Sequence, residues 1–190
     1  LLKRADMTRY ELFLRETRTY EIIEDVKNFR SEIGVLFLNG YNRDVLTKMF
    51  DDNRLTYTSL FKARPHIFVS KSNPLAKHKV VSLEDLEDFP YLSYDQGIHN
   101  SFYYSEEILS QIPHKKSIVV SDRATLFNLL IGLDGYTIAT GILNSNLNGD
   151  NIVSIPLDID DEIDIVYLKH EKATLSKMGE KFLDNLVKEV

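Results

Sequence analysis

At 190 residues and 43% hydrophobic content the chain is long enough for one large domain or two small ones with a buried core, and it has no run of the roughly 18 apolar residues that a membrane helix requires. It contains no cysteine, which excludes a disulfide framework, a thiolate zinc site and a thiol nucleophile. The net charge of −6 is spread along the sequence and suits phosphate poorly, so nucleic acid would have to be read by another domain; the opening residues lack the apolar core of a signal peptide, and a cytoplasmic location away from membranes is expected.

Glu11–Arg15 mixes apolar and polar residues in the manner of a half-buried strand. Tyr20, Ile22, Ile23, Val26 and Phe29 then recur at helical spacing, with Thr19 as the expected N-cap and Glu21 and Glu24 in the turns where the helix dipole favours acids. Ile33–Leu38 is a nearly unbroken apolar run ended by Asn39–Gly40, which predicts a strand covered on both faces in a parallel sheet. Val45, Leu46, Met49 and Phe50 predict a second helix, and Leu55–Phe61 and His66–Ser70 two further strands. After Asn73–Pro74 the pattern resets. Ser82–Asp85 has the form of a capping box opening a short helix that Asp88–Pro90 ends. Strands are predicted at Tyr91–Tyr94, Ser117–Val120, Tyr136–Thr140 and Ile152–Ile155, and helices at Ser101–Ser110 and Ala124–Leu133. Glu162–Lys169 alternates as a last strand, and Leu175–Val190 is an amphipathic closing helix. Two α/β halves without a flexible linker point to two lobes that share connecting strands.

The five histidines (His66, His78, His99, His114 and His170) match neither HExxH nor HxH spacing, so no metal site is expected. GxSxG, GxGxxG and GxxxxGK[ST] are absent from the sequence, which leaves no hydrolase, dinucleotide or P-loop signal, and no cofactor is expected. What remains are polar turns where an α/β sheet presents its strand carboxyl ends: Thr17–Thr19, Asn39–Gly40, Asp95–Asn100, Ser121 and Thr140–Gly141. Ligands of open α/β sheets bind there, and helix N-termini offer free N–H groups to an anion. The plainer account is that Thr19 and Ser121 cap helices and Gly97 turns the chain. Asp95 with Glu106 or Glu107 imitates an acid/base pair, but these acids read as solvated groups on a helix surface, and no catalysis is expected.

Four strings carry a family resemblance. Glu21–Leu38 (EIIEDVKNFRSEIGVLFL), Ala63–Ala76 (ARPHIFVSKSNPLA), Val81–Tyr94 (VSLEDLEDFPYLSY) and Val119–Thr140 (VVSDRATLFNLLIGLDGYTIAT) occur in the right order, and together the chain resembles the effector-binding domain of LysR-type transcription regulators over nearly its whole length. The resemblance implies an α/β fold of two Rossmann-like lobes joined by two crossover strands, like a type 2 periplasmic binding protein. Lobe one would be residues 1–65 plus 163–190 and lobe two residues 70–155, with crossover hinges at 64–70 and 155–163. Such a domain senses a small-molecule effector between its lobes and transmits it to a winged helix-turn-helix domain that alone touches DNA. The family's cleft-lining loops correspond to Thr17, Arg18 and Thr19, to Gln96, Gly97, Ile98, His99 and Asn100, and to Ser121; the turns at Asn39 and Thr140 complete the candidate ligand site.

Neither the helix-turn-helix nor its linker helix is in this sequence, and Leu1–Ala5 resembles only the tail of the family's first helix, so the first strand of lobe one is expected to be missing. Family members pair through their sensing domains as dimers or tetramers, which implicates Phe102, Ile108 and Leu109. The passages NSFYYSEEILS and SDRATLFNLLIGLDGYTIATGI are similar to members that control cysteine and methionine metabolism, which implies a polar or anionic effector such as O-acetylserine. A solute-binding protein of a transporter would use the same cleft, and an α/β enzyme would need a nucleophile or acid/base pair that the sequence does not display.

Overall fold

The computed structural model describes residues 11–99, 101–143 and 150–188. α1 (Thr19–Lys27), β1 (Gly34–Leu38), α2 (Arg43–Asp52) and β2 (Leu55–Ala63) come first. β3 (His66–Ser70), β4 (Tyr91–Tyr94), β5 (Ser117–Val120), α3 (Arg123–Gly132), β6 (Tyr136–Ala139) and β7 (Ile152–Pro156) follow, and β8 (Ile163–His170) and α4 (Lys177–Lys188) are the last described elements. β8 returns to the first group and lies between β1 and β2, antiparallel to both, while the second sheet has the order β5-β4-β6-β3-β7.

Each sheet has a core cluster of its own, and a third cluster, in which Ile163 of β8 meets Ile67, Val69 and Ile155, joins the two sheets. The apolar stripes of α1 and α2 bring Ile23, Val26, Leu46 and Phe50 onto Leu36, Val166 and Leu168 of the first sheet. In the second, Leu126 and Leu130 of α3 pack on Phe68, Leu92 and Val120. Burying a side chain of this size stabilises the fold by about 1.5–3 kcal/mol. α3 starts where Asp122 accepts the Thr125 N–H (2.8 Å), a capping bond that satisfies one of the free amides of the first turn. The chain passes between the sheets at Arg64–Pro65 and again through residues 157–162, and the Leu157 N–H donates to the Pro65 carbonyl (3.1 Å), so the two crossings lie side by side.

Several sequence-based expectations are corrected. Glu11–Arg15 forms no strand: it finds no ladder partner among the described residues, and Phe13 and Leu14 are 81% and 85% exposed. Among the described residues β1 is an edge strand of an antiparallel sheet, with alternating burial, and not a doubly covered parallel strand. The second sheet is mixed, because β3 runs antiparallel to both β6 and β7. Ser82 and Asp85 do exchange capping-box bonds (2.9 and 3.3 Å), yet only a short 3-10 turn follows. Ser101–Ser110 is not a helix but a 3-10 turn at Phe102–Tyr104 and further turns. Its aromatic residues are drawn to the first lobe, where Tyr103 stacks on Tyr41 and Tyr104 meets Tyr20, while Ile108 enters the cluster of Ile67, Tyr91 and Ile138; tertiary packing overrides a weak helical preference. Leu1–Ala5 lies outside the described residues.

Candidate functional site

β4 leads to β5 on one side, and the chain then crosses through α3 to β6 on the other. Strand order therefore reverses at the carboxyl ends of β4 and β6, the place where open α/β sheets leave a crevice for ligands. β4 and β6 are paired at Tyr91–Tyr136 and diverge beyond it. The Asp95 N–H donates to the Val120 carbonyl (2.8 Å), so Asp95 faces β5, and the N–H and C=O of Tyr94 face the gap. Two side chains fill the place of the absent strand. The Glu107 carboxylate accepts the Tyr94 N–H (2.5 Å), and Gln96 Nε2 donates to the Tyr94 carbonyl (3.3 Å). Both residues are buried, at 4% and 7% exposure, and the Gln96 Oε1 has no partner among the described residues.

The first lobe closes over this crevice. Arg18 donates from Nε to the Asp95 carbonyl (2.8 Å) and from Nη2 to Asp95 Oδ2 (2.9 Å), while Arg123 pairs with Glu16 (2.5 Å). Tyr20 stacks on His99 with ring centroids 3.5 Å apart. The turn after β4 is shaped for this approach: the Gly97 N–H donates to Asp95 Oδ1 (2.9 Å), Gly97 has φ +63°, and a Cβ there would lie 2.9 Å from Arg18 Nη1. A larger residue would meet both backbone strain and the guanidinium.

Three carboxyls at the crevice are perturbed. Burial pushes Glu107 up to about 7, against the opposing pull of the backbone N–H groups of Tyr94 and Glu107 itself. Burial also pushes Glu106 up to about 7, helped by the Glu16 charge and opposed by Arg123. Glu21 is held low chiefly by the Thr17 hydroxyl, which donates to it. For Glu106 and Glu107 the folded state holds protons that the unfolded chain has released, so stability falls as pH rises from the ordinary carboxyl range through about 7. Melting temperature is accordingly expected to drop between mildly acidic and mildly alkaline buffer. Glu106→Gln and Glu107→Gln should each flatten that slope, and a slope unchanged in both variants would count against the buried, protonated carboxyls.

The structure distributes the sequence-derived site residues unevenly. Arg18, Gln96, Gly97 and His99 meet at the crevice, and Thr140 lies half-buried at its β6 lip. Thr17 bonds within its own helix start. Thr19 is the buried first residue of α1, not its cap; Arg18 occupies the cap position, with no side-chain capping bond. Ser121 is exposed and Asp122 caps α3 instead. Asn39 is occupied in its turn, accepting the N–H groups of Tyr41 and Asn42 (both 3.1 Å) and donating to Asp161 (3.2 Å). Ile98 points to solvent, and Asn100 lies outside the described residues. Of the three anchors expected for pairing, Ile108 is 1% exposed and belongs to the core, Leu109 packs against it, and Phe102 is exposed. Sequence reasoning set Glu106 and Glu107 aside as solvated acids, because it put them on the surface of a helix that does not form. A cavity of about 410 Å³ at the amino ends of β4 and β6, beside Phe89, His114 and Tyr136, faces away from the crevice.

The description of the LysR substrate binding domain matches residues 4–190. The chain belongs to that family. No curated protein matches it. Among solved structures, this LysR substrate binding domain is similar to HinK, a LysR family transcriptional regulator from Pseudomonas aeruginosa, at 15% identity and a TM-score of 0.64 over 94% of this chain and 60% of that one. It thus spans about three fifths of the length of that regulator. The effector binding domain of BenM with its effector benzoate is 20% identical with a TM-score of 0.62, covering 99% of this chain and 82% of that one. The effector binding domain of QuiR in complex with shikimate is 18% identical with a TM-score of 0.60, covering 90% and 78%. These likenesses place the LysR domain in the two-lobed fold of type 2 periplasmic binding proteins. No described helix is long and apolar enough to cross a membrane.

Proposed function

We propose that this LysR domain is the sensing part of a transcription regulator, with the effector held between the lobes and no catalytic role. The observation that carries the reading is the crevice at the β4/β6 switch point, closed from the first lobe by Arg18 on Asp95. A ligand there changes the balance between parted and closed lobes only by its different affinity for the two arrangements, and in a longer protein that difference would reach a DNA-reading domain. The residues expected to meet the effector are Arg18, Gln96, Gly97, His99 and Thr140, and O-acetylserine is the first effector to try, because it offers an ammonium, a carboxylate and an ester to a polar crevice.

Calorimetry with O-acetylserine, benzoate, shikimate and sulfate on the wild type, Arg18→Ala and His99→Ala tests this. Each substitution is expected to cost about 0.5–1.5 kcal/mol of affinity, roughly two- to tenfold. Small-angle scattering should show Arg18→Ala more extended than the wild type without ligand. An effector whose affinity ignores both substitutions would put the site elsewhere.

A further inference from the structure

Carboxyls gather at the crevice in excess of its guanidiniums. Gln96 Nε2 is committed to the Tyr94 carbonyl, which fixes the amide so that its buried Oε1 points away from that bond and goes unmatched among the described residues. Facing Glu106 are Glu16 from the segment before α1, Arg18 and Glu21 from α1, and Arg123 from α3, with Glu107 beside it. Both arginines are already engaged, Arg123 by Glu16 and Arg18 by Asp95 and Glu21. Among the described residues neither Glu106 nor Glu107 is in an ion pair, and the carboxyls of Glu16, Glu21, Asp95, Glu106 and Glu107 outnumber the guanidiniums of Arg18 and Arg123. A buried carbonyl oxygen without a donor is costly, and so is an ionised carboxyl without a partner. A second anion there would add to both problems.

We propose that the effector enters this crevice by a cationic, donor-rich group, an ammonium or guanidinium, that bonds the Gln96 Oε1 and pairs with the Glu106 and Glu107 carboxyls. This rests on the reading of the inter-lobe crevice as the effector site. An ammonium brings three donors and no acceptor, which suits an unmatched carbonyl oxygen beside carboxyls that no ion pair holds. Glu106 and Glu107 hold protons near neutrality, so the incoming cation ionises a carboxyl and the proton leaves to solvent. The charge added by the ligand is balanced by the proton released. Binding therefore strengthens as pH rises through the range where these carboxyls titrate.

The test uses matched probes that share a carbon body: butylamine against butyrate, and putrescine against succinate. Amide chemical shifts locate each probe, and calorimetry in two buffers of different ionisation enthalpy counts protons. The amines are expected to shift the amides of Asp95–His99 and of the β6 end, to bind at least about tenfold more tightly than their carboxylate partners, as charge-assisted bonds imply, and to release a proton near neutral pH. Glu106→Gln should reduce that preference by about tenfold and lower the proton count. If that variant does not fold, the wild-type proton count and pH dependence decide alone. Carboxylates that bind at the same amides as tightly as amines, or amines that bind without proton release, would overturn the cationic class and leave the crevice reading standing. Probes that shift only amides elsewhere, or none at all, would overturn both.

Discussion

Replacing Phe50 by Ala is expected to cost about 3–5 kcal/mol, the range for removing a fully buried aromatic ring and leaving a cavity. Phe50 is fully buried on the core face of α2, with the Tyr57 ring of β2 5.7 Å away. For a chain of this size the melting temperature should fall by roughly 6–20 °C. Val45 on the same helix is 37% exposed and provides the control, since its truncation removes little buried area. Phe50 belongs to the first core cluster and not to the clusters around β3 and β6, so the loss should be local first. Hydrogen exchange should quicken in β1, β2 and β8 before β3 and β6. A fall below about 2 °C would contradict the burial argument, and equal loss of protection in both sheets would show the two cores unfolding as one unit.

The elements legible in the sequence are those whose own residues bury them. α2 and α4 follow from helical spacing, and the alternation in Glu162–Lys169 predicts β8 to within a residue at each end. Its partners were not legible. Nothing local says that β8 should lie between β1 and β2, because the register Leu36 to Val166 joins residues far apart in the chain. The site shows the same division. Turn chemistry at Gly97 pointed to the loop after β4, but the contacts that close the crevice join Arg18 to Asp95 across 77 positions and Arg123 to Glu16 across 107. Glu107 was hidden for another reason. A glutamate beside Glu106 on an expected helix reads as solvated, and only the divergence of β4 from β6 creates a buried place in which its carboxyl stands in for a strand.

The other large effect is expected from Gly141→Val, which connects the crossing segments to the crevice lip. Gly141 has φ +81°, and a side chain in that left-handed region costs about 1–2 kcal/mol. A Cβ at this position would also lie 2.5 Å from His66 Nδ1 and 2.6 Å from His66 Cγ, so it meets the root of the ring as well as its edge. The ring cannot swing aside freely, because its Nδ1–H donates to the Arg64 carbonyl (2.8 Å) in the first crossing. Overpacking of this kind costs about 1–3 kcal/mol more, giving a total of about 2–5 kcal/mol. The Ser154 hydroxyl donates to the Gly141 carbonyl (3.2 Å), so displacement of the glycine should also move Thr140 and weaken effector binding. Adding His66→Ala separates the two causes: it removes the ring that the new side chain strikes but leaves the backbone strain. The double variant should therefore melt above Gly141→Val and below His66→Ala alone. If it melts no higher than Gly141→Val, backbone strain accounts for the whole effect; if Gly141→Val melts like the wild type, the close approach of His66 does not constrain this turn.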